Sequence, residues 1–297
     1  MSCPPVSCPP ASQARDRTVQ VPGGSLYYRT SGTGPLLLVM PGGPGNADTL
    51  SSFASCLAQD YTVVSYDRRG YSRSHADDPP GPNGIPRHAD DARRLIGDLG
   101  AGTVTVFGTS FGALIALELA ATAPAAISTL IVHEPPLGQL LASDQRQPFD
   151  LNLDSEKDPA SALDAIAATV GVTRGQAAGG GPASRPETRP ADIELFIRRD
   201  VPAIGRYHLD LDQLRPLSGR IIVAASQGSR GYYPYECAQQ LAGHLGRPLA
   251  ELPGNHAGMI QYPAQFATQL RSLLRPSARG GASGADGSER SEREARS

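Results

Sequence analysis

The sequence contains little or none of several residue types, and each shortage narrows the possible functions. Tryptophan is absent, and Lys157 is the only lysine, so arginine supplies almost all of the 27 basic side chains. The 29 acidic residues slightly outnumber them and give a net charge of −2. Proteins that bind nucleic acid usually carry a basic excess, so we expect no nucleic-acid partner.

Cysteine and long apolar segments are equally scarce. The four cysteines lack the C-x-x-C spacing of a metal site, and no Walker loop or dinucleotide fingerprint occurs. We therefore expect no metal, no cofactor and four free thiols in a reducing compartment. No apolar run approaches the ~18 residues that span a membrane, and the N-terminus lacks the charged-then-apolar order of a signal peptide. The sequence thus predicts a cytoplasmic protein without a membrane partner and leaves its oligomeric state open.

Composition divides the chain into a folded centre and two polar ends. Residues 1–17 are rich in proline, and residues 276–297 are rich in glycine and serine before they become charged. Neither segment can bury enough apolar surface to offset the entropy of ordering it. We expect a disordered arm and a disordered tail on either side of a core formed by 18–136 and 220–275.

The predicted core shows the alternation of strands and helices that builds a parallel sheet. Two short strands, at 18–22 and 26–30, flank the turn signal Gly23-Gly24 and predict an opening hairpin, and short apolar runs predict six more strands, at 36–40, 61–66, 104–107, 127–132, 221–225 and 248–252. Between them, apolar residues repeat at helical spacing, as in 89–99, 111–123, 238–245 and 266–274. Runs that are apolar throughout are typical of strands covered on both faces. The pattern predicts an α/β fold with a mostly parallel sheet and helices on both faces.

Residues 137–219 interrupt this alternation. They contain no clear core strand, but two amphipathic helices are predicted, one through Leu163 and Ile166 and one at 193–197, with a Gly/Pro-rich connector between them. An insertion of this kind between two sheet strands predicts a helical cap that shapes the substrate pocket.

The segment 108–112 reads GTSFG and fits the G-x-S-x-G motif of a nucleophile elbow. It follows a predicted apolar strand and begins an apolar helix, which is the context that the motif requires. In such a strained turn the serine hydroxyl projects from the sheet. The alternative is that Ser110 only caps the helix. The context favours Ser110 as a nucleophile.

Two further segments place complementary groups at the same edge of the sheet. His256 follows the last predicted strand in GNHAG, where it can act as general base for the serine. The segment PGGPG at 41–45 follows the third strand, and its glycines allow backbone N–H groups to face a substrate carbonyl. We expect the N–H groups of Gly43 and Phe111 to form an oxyanion hole.

With PGGPG, YDRRGYSRS, GTSFG and GNHAG in this order, the chain resembles the α/β-hydrolase superfamily from about residue 18 to residue 274. The resemblance implies an eight-stranded sheet with the helical cap after the sixth strand. It also implies a Ser–His–acid triad in which Ser110 is the nucleophile and His256 the base. The similar haloalkane dehalogenase and epoxide hydrolase branches carry an aspartate nucleophile, which Ser110 does not match.

The acid of this triad is not where many members of the superfamily carry it, after the seventh strand. That loop reads ASQGSRG at 225–231 and has no carboxylate. Either the triad is degraded, or the acid has moved. Glu134 ends the sixth strand, where some branches keep their acid, and from there it can bind His256 Nδ1. Glu236 is a more distant candidate.

These residues predict an enzyme that cleaves an ester, thioester or lactone of a small organic substrate through an acyl-enzyme on Ser110. Two alternatives stay open on the same fold. One is a non-hydrolytic enzyme such as an acyl transferase, lyase or cyclase, and the other is a ligand-binding protein without turnover. An acidic substrate bound by Arg69 or Arg230 is a further alternative, although Asp67, Arg68 and Arg69 are expected mainly to hold loops together.

Overall fold

The segments predicted as strands lie together in a nine-stranded sheet. The computed structural model describes residues 14–77, 84–145, 158–172 and 188–275. All eight predicted strands are present, and a two-residue strand, β5, is additional. In chain order the strands are β1 (Arg15–Val21), β2 (Gly24–Ser31), β3 (Leu36–Met40), β4 (Thr62–Tyr66), β5 (His75–Ala76), β6 (Val104–Thr109), β7 (Ile127–His133), β8 (Ile221–Ser226) and β9 (Ala250–Leu252).

The strand order confirms the prediction of a mostly parallel sheet. The main path runs β1-β2-β4-β3-β6-β7-β8-β9, and β5 pairs with β2. The pairs β1·β2 and β2·β4 are antiparallel, whereas every pair from β4 to β9 along the path is parallel. The carboxyl ends of the parallel strands therefore meet at one edge of the sheet, where open α/β sheets bind their ligands.

Helices alternate with these strands as the apolar spacing predicts. The α-helices are α1 (Ser51–Leu57), α2 (Gly84–Asp98), α3 (Phe111–Thr122), α4 (Pro159–Thr169), α5 (Pro190–Leu195), α6 (Val201–Arg206), α7 (Tyr233–His244), α8 (Gly258–Gln261) and α9 (Pro263–Leu274). A π-helical turn (Phe196–Asp200) joins α5 to α6, and a 3₁₀ segment (Leu211–Arg220) leads into β8. The described part of 137–219 thus contains helices and no strand. None of the described helices is long and apolar enough to cross a membrane.

Both faces of the sheet are covered because successive side chains of a strand point to opposite sides. Leu37 and Val39 of β3 belong to a core with residues of α1 and α9, and Leu38 and Met40 belong to a core with residues of α2, α3 and α7. Helix α3 is buried along almost its whole length. This explains why the sequence of α3 is apolar on all sides, since an exposed helix would show a polar face.

Two features of the structure contradict the expectations from the sequence, and three segments lie outside the described residues. β1 begins at Arg15, so residues 15–17 belong to the sheet and not to the predicted arm. Cys56 is disulfide-bonded, which contradicts the expectation of four free thiols, whereas Cys237 is free and buried. Residues 1–13, the predicted tail at 276–297 and the segment 173–187, which holds most of the predicted connector, lie outside the described residues.

Candidate active site

Ser110 stands in the tight turn between β6 and α3. Its φ of 53° and ψ of −122° lie in a region that residues with side chains rarely occupy. The turn is held by close packing: a Cβ added at Gly112 would lie 2.2 Å from the Met40 carbonyl oxygen. The Ser110 hydroxyl makes no capping hydrogen bond to α3. The side-chain cap that the alternative role of Ser110 would use is therefore not formed.

The fold brings Glu134 and His256 together across 122 residues of the chain. Glu134 follows β7 with a φ of 49°, and its side chain is fully buried. His256 follows β9, and its Nδ1 lies 2.5 Å from Glu134 Oε2. The Ser226 N–H, at the end of β8, donates to Glu134 Oε1 at 2.7 Å. The structure therefore places a carboxylate against the imidazole from the strand that the sequence indicated, whereas Glu236 lies in the first turn of α7.

The surroundings of Glu134 favour its ionised form. Burial opposes ionisation, but it is outweighed by the electrostatic influence of His133, by the hydrogen bond and charge of His256, and by the Ser226 N–H, which together lower the pKa of Glu134 to about 2. His133 itself is fully buried, and burial lowers the pKa of its ring to about 4. The His133 ring is therefore neutral at pH 7. At that pH, the contact with His256 and the Ser226 N–H stabilise the ionised carboxylate of Glu134.

His133 fills the space behind the pair of His256 and Glu134. Its Nδ1 lies 3.0 Å from Thr109 Oγ1, and its Nε2 lies 2.9 Å from Ser226 Oγ. The ring centres of His133 and His256 are 6.1 Å apart. Both nitrogens of His133 are occupied by hydroxyl partners, which indicates a structural role, and His256 is the histidine that faces the cavity.

The glycine-rich loop after β3 passes beside Ser110. A turn closed by the Gly45 N–H and the Gly42 carbonyl at 3.0 Å contains Gly43, whose φ is 52°. Among the described residues, the N–H groups of Gly43 and Phe111 have no hydrogen-bond partner in these loops and turns. Both predicted oxyanion donors therefore remain available beside the serine.

Ser110 and His256 line the same cavity, which has an empty volume of about 1000 Å³ including its opening to solvent. Its walls are apolar, and helices between β7 and β8 supply a large share of them, through Leu163, Ile166, Val170, Phe196 and Ile204. Among the described lining residues, His256 is the only one with a titratable side chain. No hydrogen bond joins Ser110 to His256 within the described part of the chain, and such contacts often tighten only when substrate binds.

Arg69 and Arg230, the candidates for binding an acidic substrate, lie outside this cavity lining. Arg69 is buried and donates to Asp91, and Arg230 pairs with Glu251 at the surface. The expectation that Arg69 holds loops together is confirmed by its hydrogen bonds to the carbonyls of Pro22 and Gly23, at 3.0 and 2.7 Å. Sequence reasoning did not identify Asp200, which contacts the loop after β4 through Tyr71.

Comparison with known proteins agrees with this architecture. A family model described as the alpha/beta hydrolase fold matches residues 35–173. An uncharacterised hydrolase of Bacillus subtilis, YraK, is 33% identical over 262 residues, which cover 86% of this chain and 95% of that protein. A putative carbamate hydrolase of Azorhizobium caulinodans, RutD, is 33% identical over 107 residues, which cover 36% of this chain and 40% of that protein.

Solved structures show the same fold at lower sequence identity. An alpha/beta hydrolase from Sphaerobacter thermophilus superposes with a TM-score of 0.63 at 23% identity and covers 87% of this chain and 100% of its own. A putative epoxide hydrolase from Pseudomonas aeruginosa gives a TM-score of 0.62 at 21% identity and covers 88% of this chain and 95% of its own. From the sheet, the elbow and these relatives together, we conclude that the chain belongs to the α/β-hydrolase family.

Proposed function

We propose that this protein is a serine hydrolase that cleaves an ester, thioester or lactone of a small organic substrate. The observation that carries the proposal is the contact of 2.5 Å between His256 Nδ1 and Glu134 Oε2, made beside a cavity that Ser110 also lines. A buried carboxylate on Nδ1 keeps the proton on that nitrogen and leaves Nε2 free to accept one.

The proposed reaction uses two successive acyl transfers. His256 Nε2 takes the proton of the Ser110 hydroxyl while Oγ attacks the substrate carbonyl carbon, and the N–H groups of Gly43 and Phe111 stabilise the oxyanion. The tetrahedral intermediate then collapses, and His256 gives its proton to the leaving alcohol or thiol. Water, deprotonated by His256, attacks the acyl-enzyme in the same way and releases the acid. Glu134 stays ionised and stabilises the imidazolium in both halves.

The cavity supports an uncharged substrate. The described walls offer apolar side chains from α4, the π-helical turn and α6, with no cation to pair with a carboxylate. Moving a charged group against such walls would cost free energy unless it were paired. We therefore propose that the helices between β7 and β8 act as a cap that selects neutral acyl compounds. A neutral carbamate belongs in the same substrate screen because one relative is named as a putative carbamate hydrolase.

A fluorophosphonate probe tests the proposal directly. Wild-type protein and Ser110→Ala are incubated with the probe, and intact masses are recorded after circular dichroism has verified that both are folded. A single adduct on the wild type and none on the variant is the expected result. Equal labelling of both proteins, or no labelling of folded wild type, contradicts Ser110 as an activated nucleophile. Ligand-induced stabilisation without turnover would then favour the binding-protein alternative.

Product analysis separates hydrolysis from acyl transfer. An activated ester is offered in water alone and in water with an added amine or alcohol, and the products are identified by mass spectrometry. A hydrolase releases the free acid in both mixtures. Predominant formation of the amide or the new ester would identify an acyl transferase on the same serine.

A further inference from the structure

Arg68 lies beneath the loop that carries Gly43. It follows β4, and its side chain is only 1% exposed. Its Nη1 donates to the Pro41 carbonyl at 3.0 Å, and its Nη2 donates to the Gly43 carbonyl. A guanidinium presents its donors in a rigid planar fork. The two carbonyls are therefore held at a fixed distance from each other.

These two carbonyls flank the peptide unit that matters for the proposed reaction. The Gly43 N–H belongs to the unit between Gly42 and Gly43, and the oxygen of that unit accepts from Gly45 N–H at 3.0 Å. The unit before it carries the Pro41 carbonyl, and the unit after it carries the Gly43 carbonyl. Glycine has little conformational preference of its own. The direction of the Gly43 N–H is thus set by three hydrogen bonds, and one side chain supplies two of them.

The helices between β7 and β8 supply the counter-charge for Arg68. Asp200, at the end of the π-helical turn, has its Oδ2 3.9 Å from Arg68 Nη2 and accepts from Tyr71 Oη at 2.5 Å. The Arg68 guanidinium also lies 4.4 Å from the Tyr71 ring centre and 5.1 Å from that of Phe111. A buried cation without an anion is strongly unfavourable. Asp200 therefore stabilises Arg68 in the position from which it binds the loop.

We propose that Arg68 is a positioning residue for the oxyanion hole and that Asp200 holds it in place. This inference rests on the proposed function, because it assigns the Gly43 N–H to the oxyanion. Arg68 does not line the cavity and so acts through the loop and not on the substrate. Because Asp200 belongs to the π-helical turn, the geometry of the oxyanion hole depends on the position of the helices between β7 and β8.

The test compares Arg68→Lys with Arg69→Lys. A lysine at 68 keeps the charge beside Asp200 but is a compact donor that cannot span two carbonyls as the planar fork does. Arg69 is the matched control, because it is the next residue, is equally buried, and donates to Asp91 and to the carbonyls of Pro22 and Gly23, which are not part of the loop at 41–45. Asp200→Asn is a second variant, which removes the counter-charge while the arginine at position 68 is kept. Thermal unfolding of each variant verifies that it is folded.

Two measurements distinguish positioning from a general effect on the fold. With a neutral ester, we expect Arg68→Lys to lower kcat about tenfold or more, somewhat less than the loss of an oxyanion donor, with KM nearly unchanged. We expect its affinity for a trifluoromethyl ketone, which forms an oxyanion with Ser110, to fall by the same factor. Affinity for the matching methyl ketone should stay the same. Asp200→Asn should shift kcat in the same direction by a smaller factor.

Amide hydrogen exchange gives a readout that needs no turnover. The Gly45 N–H should exchange faster in Arg68→Lys than in Arg69→Lys. Equal kinetics, equal ketone affinity and equal exchange in the two lysine variants would overturn the role of Arg68 and leave the proposed function standing. If folded wild type neither hydrolyses esters nor binds the trifluoromethyl ketone, the proposed function fails. In that case, faster exchange of the Gly45 N–H in Arg68→Lys would still support Arg68 as the residue that holds the loop. Equal exchange in the two lysine variants would overturn the role of Arg68 in holding the loop as well.

Discussion

Replacing Glu134 with glutamine tests the acid of the proposed triad with almost no change in shape. The amide oxygen can still accept from the Ser226 N–H, which now donates to Glu134 Oε1 at 2.7 Å. The amide nitrogen, however, would place a donor against His256 Nδ1, where the carboxylate oxygen now lies at 2.5 Å. To accept from that donor, the imidazole must move its proton to Nε2, the nitrogen that has to accept the serine proton.

The expected loss of activity follows from this change of tautomer. In serine hydrolases the same substitution of the acid by its amide lowers kcat about 10⁴-fold, because the base is held in the wrong form. We expect Glu134→Gln to lower kcat by about 10³- to 10⁴-fold, with a much smaller change in KM. A loss below about tenfold would refute Glu134 as the orienting acid.

The same variant has a predictable effect on stability. The folded protein lowers the pKa of Glu134 from its ordinary 4.5 to about 2. At about 1.36 kcal/mol for each pKa unit, the whole shift corresponds to about 3 kcal/mol, and because the neutral His133 ring does not contribute at pH 7, the ionised carboxylate adds at most that amount to the free energy of unfolding there. Because the folded-state pKa is depressed, this contribution is complete above pH 4.5 and is lost as the pH falls toward 2. Glutamine cannot ionise and so lacks the contribution at every pH.

Urea unfolding measured from pH 7 to pH 3.5 checks this reasoning. Wild type should exceed Glu134→Gln by up to about 3 kcal/mol in unfolding free energy at pH 7, and roughly 1 kcal/mol of that difference should disappear by pH 3.5. Glu194→Gln is the control, since Glu194 pairs with Arg198 at the surface with 58% of its side chain exposed. A difference between wild type and Glu134→Gln that stays constant over the whole range would refute the depressed pKa.

Three further substitutions test the packing of the site and of the fold. Gly42→Ala places a Cβ 2.6 Å from Ser110 Cβ, so we expect a loss of stability of about 1–3 kcal/mol and a large loss of ester hydrolysis, both measured on purified protein. Gly97→Ala in α2 meets no atom within 4 Å, and we expect it to raise the unfolding free energy by about 0.5–1 kcal/mol without affecting hydrolysis. Ile166→Asp puts a carboxylate in the cavity wall and should raise KM for a neutral ester about tenfold or more, whereas Ile166→Leu should not.

The sequence allowed the fold and the three proposed triad residues to be predicted because their signals are local. A short apolar strand followed by a glycine-rich turn is visible in a few residues. Ser110 follows such a strand, and His256 lies between two glycines after the last strand. The prediction of Glu134 required one further step: the loop after β8 has no carboxylate, so the acid had to be sought at the end of another strand. Parallel strands end at one edge of the sheet, so residues at those ends approach each other wherever they lie in the chain.

The contacts that hold the site in place could not be predicted in this way. Asp200 binds Tyr71 across 129 residues, and Asp192 accepts from the Ser72 N–H across 120 residues. A buried aspartate within an amphipathic helix carries no local pattern that names its partner. The apolar face of α4 was predicted from its spacing, but periodicity states only that a face is covered, and not that Ile166 would border a cavity.

The position of Glu134 shows what the chemistry requires of the fold. In the proposed triad His256 needs a carboxylate at one point in space, and that point lies beside the ends of two neighbouring parallel strands, β7 and β8. A short acidic side chain after β8 would be one way to reach it. Here the longer glutamate enters from β7, and the positive φ at Glu134 turns the chain as it leaves the strand. The Ser226 N–H, from the strand that lacks the acid, then binds the carboxylate supplied by its neighbour. The missing carboxylate after β8 is thus compatible with the proposed triad, because Glu134 reaches His256 Nδ1 from the end of the neighbouring strand.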